Sequence, residues 1–411
     1  MTDATTGRKS WLVDVIAIVT LIFVILYPTS GFKNTVVWLG LLWVVVCGIR
    51  NRRMIHAGGL AAALLVYFTA CLVAAWHSID TAFSFRQLNK LIEFLAGYIA
   101  VVNLLAGTPR VGRTLNWLVA AMGLVSLLDV LRLSTSAVTG KLELLDGRWF
   151  DSLLGYPTIA AGTYALAWLL ALVGLFRSDT RSLRFLNIAI LILLLVPLYF
   201  LQTRSALLGL AVGVFTFVLL APLPFRWRMS AITAAAMLPL LFIAIPGNFR
   251  DRIVQGGSSD RVALWKDAEI IINNGVEREP YRKWVGFGYG HKMFEKFHGK
   301  IPRHRREAER AYDHTHNLFI ELRVQSGYMG VIAFSMLMLT ATARAIWRFP
   351  NKNDRDKRFV AAGASGGVMA FLVYGQFSLF FAFLPALIFW TLLAIWMASL
   401  REATPPDSAT R

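Results

Sequence analysis

Cysteine is almost missing from this chain: there are 2 in 411 residues, Cys47 and Cys71, and both fall in apolar runs. That excludes a disulfide framework and a zinc site built on thiolates. Charge is scarce as well, at 16% of residues against about 25% in soluble domains. Acids are scarcer still, with 24 Asp and Glu against 42 Lys and Arg. No internal repeat of roughly 20–50 residues is visible, which excludes a solenoid or propeller. Low complexity is confined to the short polar tail ATPPDSATR, and the start MTDATTGRKS leads into an apolar run without a small-residue cleavage pattern.

What is abundant is apolar sequence, 56% of residues. The runs are about 17 to 22 residues long, the length of helix that crosses a hydrocarbon core of about 30 Å. Candidate spans lie near 11–29, 33–48, 57–76, 87–106, 115–133, 158–176, 185–201, 205–221, 229–246, 327–347, 359–378 and 380–400. The expected fold is an all-α polytopic membrane protein of about 12 transmembrane helices with one large outer loop. It divides into spans one to nine over 1–246, the loop region 247–326, spans ten to twelve over 327–400, and a tail over 401–411.

A net charge of +18 on a soluble chain would point to nucleic acid. Here many of the bases occupy short connections on alternate sides of the spans: Arg50, Arg52 and Arg53; Arg110 and Arg113; Arg177, Arg181 and Arg184; Arg226 and Arg228; Arg348 to Arg358. The surplus is therefore partly topogenic, with no nucleic-acid partner expected. The positive-inside rule puts both termini in the cytoplasm and the long loop outside.

Polar residues that can do chemistry concentrate in Asn248 to Gly330, which holds five of the seven histidines and ends in HTHNLFIELRVQSGYMG. Within it, DRVALWKDAEIIINN reads as an amphipathic helix with Val262, Trp265, Ala268 or Glu269, and Ile272 on one face, and Ser258, Ser259 and Asp260 as candidate caps. The run GFGYG, Gly286 to Gly290, reads as a glycine-rich turn, since a dinucleotide fingerprint would need a preceding strand.

Four places stand out. Arg204 sits where two spans meet at the outer face; it either grips a phosphate with its planar fork or anchors at the interface. Arg261 opens the amphipathic helix, where N-terminal amides already favour an anion, unless it is simply solvated. His316 stands where the loop re-enters the bilayer. It can take a proton from a hydroxyl near neutral pH, or join Asp313 and His314 as a metal ligand. Arg86, Lys90 and Glu93 share a helical face, fit for a second phosphate or for an internal salt bridge. Asp14 and Asp129 lie within spans with no role assigned, and Asp146, Arg148 and Asp151 read as solvated loop charges or substrate contacts.

The chain resembles the O-antigen ligase and polymerase superfamily of bacterial membrane glycosyltransferases. The resemblance rests on His316 and Asn317 followed by Gly327 and Gly330, on Thr203-Arg204-Ser205 opening an apolar run, and on Arg261 and Trp265 followed by GFGYG. It implies a C-type glycosyltransferase-like fold acting without cofactor or metal on an undecaprenyl-pyrophosphate-linked glycan at the periplasmic face of the inner membrane. By the same resemblance Arg204 and Arg261 bind the pyrophosphate and His316 is the catalytic base. Arg86, Lys90, His314 and Asn317 are expected second-tier substrate contacts. One dominant loop favours a ligase with lipid A-core as acceptor over a polymerase or a protein O-oligosaccharyltransferase. A secondary transporter or lipid flippase would instead place its ionisable residues near the midplane.

Overall fold

The computed structural model describes residues 38–42, 44–46, 49, 55–105, 108–138, 152–154, 157–178, 180–201, 203–244, 261–301, 308, 312–350, 354–378 and 383–400. The expected span 11–29, half of 33–48, the candidate caps at 258–260, the loop charges at 146, 148 and 151, Cys47, Asp14 and the tail lie outside them.

The described chain is helical, with α1 Ala61–Trp76, α2 Thr81–Leu104, α3 Thr108–Val138, α4 Pro157–Arg177, α5 Arg181–Leu201, α6 Arg204–Leu220 and α7 Phe225–Ala244. After these come α8 Arg261–Arg278, the short α9 Arg282–Val285 and α10 Glu295–His298, then α11 Leu318–Trp347, α12 Arg355–Gly375 and α13 Phe383–Ser399. Among the described residues, five helices are long and apolar enough to cross a membrane: Leu115–Ser134 within α3, then α4, α5, α11 and α12. Shorter apolar helices run over Ala61–Trp76, Arg204–Leu220 and Pro385–Ser399. The protein is a multi-pass helical membrane protein.

Small residues set the closest helix pair. Gly209 and Gly213 lie four apart on α6, a spacing that lets backbones meet without side chains between them. A Cβ at Gly213 would stand 2.8 Å from Ala370 Cβ and 2.9 Å from the Gly366 carbonyl oxygen, and one at Gly209 would stand 2.6 Å from the Ala370 oxygen. The two helices thus run antiparallel in contact, which brings Arg204 at the head of α6 to the end of α12. Gly213→Leu is expected to cost about 1–3 kcal/mol by overpacking. The check is a lower thermal midpoint in detergent, with lipid-facing Leu208→Ala as the unchanged control; Leu208 is about half exposed.

The bundle has two distinct ends. At one, the Arg177 guanidinium donates from Nε to Asp356 Oδ1 (2.5 Å) and from a terminal nitrogen to the Gly112 oxygen (2.8 Å). Near it the Tyr98 hydroxyl donates to the Ala57 oxygen at 3.1 Å. At the other end the Tyr374 hydroxyl donates to Thr158 O at 2.8 Å, and the Asn317 amide donates to Gln376 O at 3.3 Å. The polar loop sits on this second end.

α11 is broken within its length. Ser326 (φ −129°, ψ 16°) and Gly327 (φ 59°) leave the helical region and divide it into an upper segment and the expected span at 327–347. Such a break frees carbonyls that must find donors. The glycine run supplies them: Phe287 N–H donates to Val324 O (2.9 Å) and Gly288 N–H to Gln325 O (3.0 Å). Contact is backbone to backbone, since a Cβ on Gly327 would lie 2.4 Å from Trp284 O and one on Gly286 would lie 2.7 Å from Gln325 O. Both glycines have positive φ. The run is therefore the brace of the kink rather than a plain turn.

The amphipathic helix requires a correction. α8 does not bury the face that includes Val262, which is about half exposed; it buries Leu264, Ala268, Ile271 and Ile272 together with Asp267. Those residues pack with Phe287, Met293, Phe294 and Val324 in a second small core. Asp267 turns inward because His298 Nε2–H and Ala308 N–H both donate to its Oδ2, at 2.9 and 3.0 Å. No periodicity in the sequence reveals that pairing.

Candidate functional site

The segment from Tyr312 to Asn317 is held from three sides. Its first residue is fixed where Tyr312 N–H donates to His298 Nδ1 at 2.9 Å. In the middle, Thr315 gives both its N–H and its hydroxyl to Glu321 Oε2, each at 2.9 Å. Glu321 is itself buried and takes a further bond from Gln325 Nε2 at 2.9 Å. At the end, Asn317 caps α11, its Oδ1 accepting from Phe319 N–H and Ile320 N–H at 3.0 and 3.1 Å.

Between Thr315 and Asn317, His316 adopts φ 53°, the left-handed region. A non-glycine residue stays there only when its surroundings over-determine it, and such residues cluster at functional sites. The clamped neighbours supply that constraint. The His316 ring meets Tyr312 edge to face at 6.0 Å between centroids, and its Nδ1 lies 3.2 Å from His314 Nε2.

Both arginines begin helices, α6 and α8, so two N-terminal dipole ends and two guanidinium groups serve one region. Arg261 is partly buried, and its pKa is pushed below the usual range, first by burial and then by the like charge of Arg204. Its guanidinium lies 6.0 Å from the centre of the Phe377 ring, with Tyr374 and Tyr312 within electrostatic range. Among the described residues no carboxylate forms an ion pair with it. Two cations gathered among aromatic rings at helix N-termini are an arrangement chemically suited to holding an anion.

Two contacts lock α8, and Arg261 with it, to the histidine segment and to the upper part of α11. Trp265 Nε1–H donates to Thr315 O at 3.1 Å. Arg323 forks onto Glu269 with bonds of 2.7 and 3.1 Å. Asn317 closes the ring by donating to Gln376 O, next to the Phe377 that faces Arg261. The structure thus brings Arg204, Arg261, His316, His314 and Asn317 together.

Of the second-tier residues, Lys90 acts electrostatically on His291, which neighbours His314 at 6.2 Å between ring centres. The His291 pKa is pushed down to about 4, first by burial and then by the neighbouring His314 ring, so it is neutral at pH 7. Arg86 instead acts on Asp80, the N-cap of α2. Glu93 is within electrostatic range of Lys90, but its Oε2 is buried without a hydrogen-bond partner, so no closed salt bridge joins the stripe. Asn317 spends its oxygen on the helix cap. Among the described residues no three of His, Cys, Asp and Glu are grouped as a metal site needs.

Residue patterns alone passed over Tyr312, Glu321 and the Asp267–His298 pair. Glu321 had one available signal, a lone acid in the first turn of α11 just after HTHN. They also assigned nothing to Asp129. It is buried in α3 and accepts from Ser152 Oγ and the Tyr164 hydroxyl at 2.5 Å each and from Leu153 N–H at 3.0 Å.

One end of a helical membrane bundle thus gathers two arginines at helix N-termini and a histidine held in the left-handed region. Residues 189–335 match the family model described as O-antigen ligase. The matched segment contains Arg204, Arg261, His316, Asn317, Gly327 and Gly330. Members of the family are glycosyltransferase-like ligases and polymerases of lipid-linked glycans. A search of curated proteins gave no match.

Proposed function

We propose that the protein is an O-antigen ligase of lipopolysaccharide biosynthesis. It transfers a glycan from undecaprenyl pyrophosphate to lipid A-core oligosaccharide on the periplasmic face of the inner membrane, with both termini in the cytoplasm. The observation that carries the reading is the approach of Arg261 to Arg204 beside His316. A pyrophosphate already activates the sugar, so catalysis chiefly needs the developing negative charge stabilised and the acceptor hydroxyl deprotonated. Arg204 and Arg261 take the pyrophosphate oxygens. His316 accepts the hydroxyl proton as the acceptor oxygen bonds to the anomeric carbon and the bond to pyrophosphate breaks with its electron pair. Attack opposite the leaving group inverts the anomeric centre.

The test is transfer by purified protein given the lipid-linked glycan and lipid A-core in excess chelator. Glycan-bearing lipid A-core is the expected product. Growth of the lipid-linked glycan alone would make the protein a polymerase. A strict requirement for added divalent metal would overturn the arginine-based account.

A further inference from the structure

We propose that Asp313 and His314 form a positioning relay behind His316, setting the His316 proton on Nδ1 and its basic lone pair on Nε2. The inference rests on His316 being the base and adds how its protonation is arranged. His314 is buried, and its ring stands 3.9 Å from that of His316 between centroids, with Nε2 of the one 3.2 Å from Nδ1 of the other. On its far side, His314 Nδ1 is in close contact with Asp313 Oδ1. That contact is not collinear with the ring N–H, so it acts through charge more than as a directed hydrogen bond.

The assignment of protons follows in order. A carboxylate only accepts, so the proton of His314 belongs on Nδ1, beside Asp313. Asp313 is kept ionised: the His314 contact holds its carboxyl well below the usual range. Nε2 of His314 then offers a lone pair, and the hydrogen bond between the two rings takes its proton from His316 Nδ1. Nε2 of His316 is left as the basic nitrogen. The same logic applies wherever a carboxylate fixes the tautomer of a catalytic histidine, here with one imidazole interposed.

During transfer the hydroxyl proton moves to His316 Nε2, and the new positive charge points through His314 toward Asp313. Among the described residues, Lys90 from α2 and Lys292, just beyond the glycine run, act on His291, and Arg261 from α8 acts near Tyr312. His291 is neutral, and the Glu321 carboxylate is committed to Thr315 and Gln325. Asp313 is thus an anion placed behind His314 to support a protonated His316.

Three variants of the full-length protein test this: His314→Gln, whose amide oxygen can still accept from His316 Nδ1, His314→Leu, which cannot, and Asp313→Asn. Leucine is expected to lower kcat about tenfold with little change in KM, and glutamine to restore most of the loss. Asp313→Asn removes support for the imidazolium, so the acid limb of the kcat–pH profile moves to lower pH and the plateau falls. Equal behaviour of glutamine and leucine, with an unmoved acid limb in Asp313→Asn, overturns the relay while leaving His316 as base. If His316 variants keep normal turnover, the base assignment fails and the relay with it. Should His314→Leu not fold, the Asp313→Asn profile decides: an unmoved limb rejects the relay.

Discussion

His316→Ala and His316→Asn are both expected to lose transfer by roughly 100- to 10,000-fold, the range by which a positioned base accelerates proton removal. The pair is needed because His316 holds a left-handed backbone. Alanine is strained there, whereas asparagine tolerates that region well. If the loss came from a disturbed loop, asparagine would recover activity. If it comes from the missing imidazole, both variants are inactive while the loop stays clamped by Thr315, Glu321 and Asn317. Turnover near that of the parent protein in either folded variant would reject the base assignment.

The second large effect concerns the arginines. Arg204→Lys and Arg261→Lys each keep the positive charge and discard the planar fork, so each is expected to lower kcat/KM by roughly 10- to 100-fold, the worth of one or two charge-assisted hydrogen bonds. Arg261 should be the more sensitive. It is partly buried beside Phe377, where a strongly hydrated ammonium is poorly accommodated. Measuring initial rates at several donor concentrations separates binding from turnover. Lysine variants with parental kcat/KM would show that charge alone suffices and that no bidentate grip is made.

Much of the helical frame was legible because span length is imposed by bilayer thickness. The expected 158–176, 185–201 and 205–221 sit within four residues of α4, α5 and α6. α2 begins at Thr81, earlier than the apolar window at 87. Asp80 caps it and its first turns carry Arg86 and Gln87, which an apolar window rejects. α11 defeats the same approach from the other side: its upper segment is helical but polar, and only the span beyond the kink reads as membrane-compatible. Arg204, Arg261 and His316 were recognisable because each stands at a boundary between polar and apolar sequence. The parts that hold them in place were not. Glu321, His298 and Asp267 act through partners 4 to 41 residues away, and a one-dimensional pattern carries no sign of such pairings. The glycine run was read as a turn because its role depends on the kink it touches.

The approach of Arg204 to Arg261 has a consequence for the protein at rest. Two like charges stand at the positive ends of two helices, and the charge of Arg204 disfavours that of Arg261. On the proposed reading, an anionic donor docked at both guanidinium groups favours the charged form of Arg261, so substrate binding and protonation support one another.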